Sequence, residues 1–363
     1  MVASLMDDPE EHRRVRAEMG RPSVAGLLRG RKDTVGFGNT DGVMERVWDI
    51  ALAPPAPEVL GPPPGCGQPV HAVIAPHDDY IYAGRVCRRI LPMLTAKTVI
   101  VFGVLHQWRR FGLRARLVFD SHATWSTIAG PVKVSKLREL LIARLPAKHI
   151  VQSDMIHDSE HSIEALLPWL RHAQPNLHIV PVLVATSHFE ELEAMASTFA
   201  VALDMVLDER GFLPGSDVAI AISADAIHYG ADFQQTRFGP GGPDAYREAR
   251  ALDHALITGP LAGALTRAKT RNAYEAWVDP RRPGNYRWTW CGRFSIPFGL
   301  MVLEMMGGAH GWPLAYATSA GSPKLALDDL GFGVTAPADY GHFVGYPAVA
   351  YTAPMVAGAD RPD

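Results

Sequence analysis

The stretch APHDDYIYAG, residues 75 to 84, places His77, Asp78, Asp79, Tyr80 and Tyr82 directly after an apolar run. Similar residue types recur at similar places. His106 follows KTVIVFG, Asp225 and His228 follow DVAIAIS, and Cys291 lies in YRWTWCGRFSIPFG just ahead of a helical pattern. Imidazole, thiolate and carboxylate are the side chains that hold transition metals and move protons near neutral pH. A thiol followed by Arg293 and a helix N-terminus is expected to ionise readily, which makes Cys291 a ligand or nucleophile; the bland alternative is a buried inert thiol. A single histidine is more often a hydrogen-bonded structural residue than a ligand, so the shared position of these groups is what points to a site.

A further cluster is HDSEHSIEALLPWL, 157 to 170. Asp158 or Ser159 is expected to cap a helix whose apolar face is Ile163, Leu166, Leu167 and Leu170, with Glu160 and His161 in its first turn. Pro168 removes a helical hydrogen bond and requires a kink or a later start.

The elements that must position these groups read as alternating strands and helices. Strand-like runs cover 70–76, 97–103, 177–184 and 217–223, and helix-compatible segments cover 84–96, 135–145 and 189–207. Near-continuously apolar strands predict an α/β fold: a central, mostly parallel or mixed sheet with helices on both faces. In such sheets ligands bind beyond the carboxyl ends of the strands, where His77, His106, Asp225 and His228 all fall. Later helices are expected near 244–270 and 293–306, then two strands, 313–320 and 342–352, that could pair antiparallel at one edge. PPAPEVLGPPPGCG, 54 to 67, is a stiff connector, so residues 1–67 read as an N-terminal arm packing on a main domain of 68–363.

Composition narrows the function. The chain has 363 residues, 47% apolar and 20% charged, enough for a sizeable core. A net charge of -3 gives no footprint for nucleic acid or an anionic membrane, which leaves a small-molecule substrate, with a protein partner or a homo-oligomer still open. Cys66, Cys87 and Cys291 form no disulfide framework, and the N-terminus has no apolar export segment, so a cytoplasmic protein is expected. GFGNTDG (36 to 42) lacks the preceding strand and following Lys-Ser/Thr of a phosphate loop, and no Gly-x-Ser-x-Gly elbow is present. RGRKD (29 to 33) reads as solvated surface.

Taken together, RPSVAG (21 to 26), APHDDYIYAG, FGVLH, EHSIEALLPWL, SADAIHYG and CGRFSIP resemble, in order, the motifs of the Memo family, protein B of the AmmeMemoRadiSam system. The resemblance implies a class III extradiol dioxygenase-like fold and a redox metal at a two-histidine, one-cysteine site. Carried over, the metal ligands are His77, His106 and Cys291. Asp225 and His228 line the same pocket, and Glu160 and His161 approach it. Several positions depart from the pattern: Asp78 and Asp79 for Ala-Gly, Val104 and Leu105 for Pro-Ser, Gln107 for a second histidine, and Phe294 for a histidine.

The expected function is therefore an oxidoreductase of the dioxygenase-like kind, with Fe(II) ahead of copper or zinc, acting on a small phenolic or enediol substrate. His228 is the expected general acid/base and Asp225 its orienting partner, with Tyr80, Tyr82 and Trp290 on the pocket wall. Two alternatives use the same residues: a zinc hydrolase with Glu160 or Asp225 as base, and a non-enzymatic metal-holding or peptide-binding module.

Overall fold

The computed structural model describes residues 8–355. The molecule is α/β, built on a 14-stranded mixed sheet. Its centre comprises β1 (Val70–Ala75), β2 (Thr98–Val104), β3 (His178–Val184), β4 (Val218–Ser223), β5 (His310–Thr318) and β6 (Phe343–Thr352). They lie in the order β3-β2-β4-β1-β6-β5. The first four are parallel, while β6 runs antiparallel to both β1 and β5. The two late strands do pair, but not at an edge. β6 sits inside against β1, and the short strands Gly263–Ala264 and Glu58–Val59 extend the sheet beyond β5.

Continuous apolar runs form these strands because both faces are buried and successive side chains point to opposite sides. Ile74, Phe102, Val182 and Ile222 join one core with helices α2 (Phe189–Arg210) and α3 (Ser295–Met305). Val73, Val101, Leu183 and Ala221 join the other, with α1 (Tyr80–Ile90) and the helix Leu167–Ala173.

Local structure differs from the sequence expectation in ways that bear on the site. Helix α1 begins at Tyr80, inside the polar stretch; Tyr80 is fully buried and its hydroxyl donates to Ala165 O at 2.5 Å. It is a core residue rather than a pocket wall. The segment after His157 is not one helix capped by Asp158 or Ser159. A short helix, Asp154–Asp158, is capped by Ser153, and a separate one starts at Leu167 with Pro168 in its first turn. Proline suits that position because its missing N–H would be unpaired there anyway. Glu160 and His161 consequently occupy the loop between the two.

RGRKD is not solvated surface. Arg29 is fully buried and Arg31 is 3% exposed. Leu28–Arg29 pairs in parallel with Thr124–Trp125, and Arg29 ion-pairs with Glu164 while donating to the carbonyls of His157 and Glu160. The arm thereby clamps the loop that carries Glu160 and His161. Among the described residues, no helix is long and apolar enough to cross a membrane.

Candidate metal centre and its cleft

His77 leaves the end of β1 and is 2% exposed. Its Nδ1 lies 2.7 Å from Ser223 Oγ, and that hydroxyl already donates to Ser162 O at 2.6 Å. The serine oxygen must therefore accept from His77 Nδ1–H, which fixes the tautomer and leaves Nε2 as a lone pair. Burial, reinforced by the neighbouring His106 and His161, pushes His77 well below the ordinary imidazole range, so the ring is neutral.

His106 follows β2 and is held by one carboxylate. Glu160 accepts its backbone N–H at 2.8 Å and its Nδ1–H at 2.9 Å. Burial opposes charge on Glu160, yet His106, through its charge, ring N–H and backbone N–H, together with His161 outweighs it and holds the carboxyl far below its usual range. Desolvation of its ring opposes charge on His106, which is still about one-third exposed, but Glu160 prevails and raises it. The result is a second imidazole whose Nε2 is free of its carboxylate partner. His161 stacks on His106, with ring centroids 4.9 Å apart and planes 9° from parallel.

Two donor sets emerge, both containing His77. Ring nitrogens of His77, His106 and His161 lie within 4.8 Å of one another, as do ligand atoms of His77, Asp225 and Cys291. Cys291 Sγ is 3.5 Å from His77 Nε2 and accepts the Asp225 N–H at 3.0 Å. Gly292 makes that approach feasible, since a Cβ there would collide with Ala224. The expected His77, His106 and Cys291 thus share His77 but fall into two overlapping groups, and His161 and Asp225 complete them.

Several sequence expectations change. Burial, then the charge of Asp225, pushes the Cys291 thiol well up, against the easy ionisation expected from Arg293 and the helix N-terminus. Asp225 does not orient His228. Its Oδ1 accepts the His77 backbone N–H at 2.8 Å and its Oδ2 lies 3.5 Å from His77 Nε2. His228 Nδ1 faces the carbonyls of Ala226 and Thr289 at 3.1 and 3.2 Å, which makes it N–H there and leaves Nε2 as the acceptor. Trp290 is fully buried and donates to Asp253 at 2.7 Å, so it packs behind the site rather than lining it.

Three cavities border the cluster. An open cleft of about 760 Å³ meets His77, Asp78, Asp79 and His161, with Asp33 and Phe37 as its far wall. A cavity of about 210 Å³ is lined by His228, Asp78, Asp79 and Tyr82. A third, of about 70 Å³, lies beside His106, Cys291 and Arg293. Asp78 accepts from Tyr346 OH at 2.6 Å, and Asp79 from the Thr335 N–H at 2.6 Å. Burial, then the charge of Asp78, raises Asp79 to about 7.

Sequence reasoning missed the residues that act through others: Ser223, Arg29, Glu164 and Asp253. Asp253 is fully buried and accepts from Trp288, Trp290, Tyr316 and the Ile227 N–H, at 2.6 to 3.2 Å. It therefore ties together the segments that carry His228 and Cys291. Ser223 could have been found as the polar end of an apolar strand. The others lie in segments with no local signature.

Comparison with known proteins supplies a family. A model described as Memo-like protein matches residues 58–328. The chain is 27% identical over 251 residues to a MEMO1 family protein of Aquifex aeolicus, covering 68% of this chain and 78% of that one. It is 25% identical over 285 residues to one from Methanopyrus kandleri, covering 77% and 82%. A third, from Methanosarcina acetivorans, is 28% identical over 253 residues, covering 69% and 79%. The matched span contains every candidate ligand, whereas the cleft wall of Asp33, Phe37 and Thr335 lies outside it.

Proposed function

Because the chain belongs to the Memo-like protein family, we propose that it holds a redox-active metal ion at the histidine cluster and oxidises a small phenolic or enediol substrate there. The observation that carries this reading is the pinning of both Nδ1–H groups, to Ser223 and to Glu160, which leaves the two Nε2 atoms, on rings 5.3 Å apart, as the ligating positions.

The donors suit the ion. His77 and His106 with His161, or His77 with Asp225 and Cys291, would hold it, and imidazole with carboxylate favours Fe(II), with copper or zinc as the competing occupants. When bound, such an ion supplies one-electron chemistry and open positions for substrate and O2. The protein's own groups do the rest. Glu160 and Ser223 keep the two imidazoles in the ligating tautomer. Asp225 fixes the His77 backbone, and His228, through Nε2, takes a proton from a substrate hydroxyl lying in the cavity it shares with Asp78. Phe37 and the rest of the arm narrow the access of water to the cleft.

Metal analysis after anaerobic purification, together with O2 uptake over a panel of catechols and enediols, tests the proposal. Stoichiometric iron, its loss in His77→Ala, and O2 uptake with some member of the panel are expected. Stoichiometric zinc with no O2 uptake would overturn it in favour of a hydrolase.

A further inference from the structure

Arg293 stands two residues after Cys291 and just ahead of α3, yet it is only 3% exposed. Its Nε and Nη1 have no hydrogen-bond partner among the described residues, and Nη2 makes a single long bond, 3.4 Å, to Gly284 O. It makes no ion pair among those residues either. The guanidinium carbon rests 3.4 Å from the centre of the Tyr286 ring and 4.9 Å from that of Phe294, which offsets part of the desolvation by cation–π attraction. Arg109 brings a second cation nearby, donating to the same Gly284 carbonyl at 2.9 Å. The hydrogen bonds of Cys291 run to Asp225 and His77 rather than to either arginine.

A buried guanidinium with unused donors and a like charge beside it is a costly arrangement unless a counter-ion arrives. The open donors border a cavity of about 70 Å³ lined by Arg293, Arg109, Cys291, His106, Tyr286 and Ser295. The N-terminus of the eleven-residue helix α3 lies at the same place, adding its partial positive charge.

We propose that Arg293, assisted by Arg109 and the first turn of α3, is a subsite for a small planar oxyanion, and that its occupant is the carboxylate end of the substrate. The guanidinium fork matches a carboxylate, and the cavity holds little more than that group. This rests on the redox-metal reading only in placing the reacting end of the substrate beside His106 and Cys291. It assigns a negative end to the side of the cluster opposite the acidic Asp78 and Asp79 wall.

Binding is measured on chelator-treated, metal-free protein, by calorimetry and thermal shift, with formate and acetate as probes, formamide as the neutral control, and bicarbonate and phosphate as free-anion competitors. Formate and acetate are expected to bind saturably and to stabilise the fold, and formamide is not. Arg293→Gln is expected to weaken formate roughly tenfold to a hundredfold. Arg293→Lys is expected to restore part of that, because it keeps the charge but loses the fork. Should Arg293→Gln fail to fold, Arg109→Gln, on an exposed side chain, is expected to weaken formate severalfold. No saturable carboxylate binding by the wild type, or equal binding by Arg293→Gln, would overturn the subsite. Bicarbonate or phosphate binding more tightly than either carboxylate would overturn the assignment to a substrate end. Iron content measured beside these titrations fails or holds independently of them.

Discussion

The cleft histidines and the histidines under the arm are the same residue type in different surroundings, the one set beside cavities and the other fully buried. His77 and His106 each spend Nδ1–H on a buried acceptor and keep Nε2 free of that acceptor. His122 and His157, both fully buried, each pair one nitrogen inside a salt-bridged network and leave the other without a hydrogen-bond partner among the described residues. His122 Nδ1 lies 3.2 Å from Asp120 and its Nε2 3.7 Å from Asp158, while His157 Nε2 meets Val118 O at 3.0 Å. Asp158 also accepts from Ser23 at 2.5 Å and faces His12 at 3.2 Å and Arg16 at 3.6 Å, so this network fastens the arm to the body. What separates the ligand candidates from these structural histidines is where the second nitrogen lies: in the cleft it is within 4.8 Å of other donors and beside an open cavity, under the arm it is sealed in.

If the closed networks are structural, breaking them should unfold the protein without a specific effect on metal. Glu164→Ala strands the buried Arg29 and removes the acceptor of the Lys32 N–H, 2.8 Å away. Denaturant unfolding should show a loss of about 3–5 kcal/mol, the usual cost of orphaning one member of a buried pair.

The carboxylate behind the cleft gives the next largest effect. Burial outweighs four donors and pushes Asp253 up to about 6. Its folded pKa then lies above the unfolded value near 3.9, so between the two the native state binds more protons and stability falls as pH rises. The span corresponds to about 3 kcal/mol lost between pH 4 and pH 6, with no further change above. Urea titrations across that window should show the slope, and Asp253→Asn should flatten it.

Asp158→Ala, in the arm network, is expected to cost about 1–3 kcal/mol from stranded donors. The metal content per folded molecule should stay at the wild-type level. A parallel loss of metal would mean that the two regions are one functional unit.

Glu160→Gln sharpens the contrast from the other side. The amide loses the charge that draws on His106 Nδ1–H, so metal affinity should fall about 10- to 100-fold, and its NH2 faces a buried N–H donor, so stability should fall by about 1–3 kcal/mol. A competitive chelator titration measures this, and an unchanged affinity would remove His106 from the ligand set.

Much of this molecule could be read from the chain itself. Apolar runs at 70–76, 97–103, 177–184 and 217–223 became β1 to β4 because a strand buried on both faces leaves a continuous local signature. Strand ends then located His77, His106, Asp225 and His228, since parallel connections place those ends on one edge. Local pattern could not supply the partners. RGRKD looks like surface until Glu164 arrives from 135 residues away to pair with Arg29. The placement of Glu160 depended on Ser153 capping one short helix and Pro168 opening another, a competition between local signals of similar strength.

The sequence by itself determined the fold class, the order of the central elements and the residue types at the cleft, because those follow from periodicity and composition. Only the tertiary structure decided which nitrogen of His77, His106 and His228 is pinned, that burial opposes ionisation of Cys291, that Asp225 serves His77 rather than His228, and that Arg293 has no carboxylate partner among the described residues. Each of these depends on which groups from distant segments share a water-poor space, where a single partner or its absence sets the protonation state.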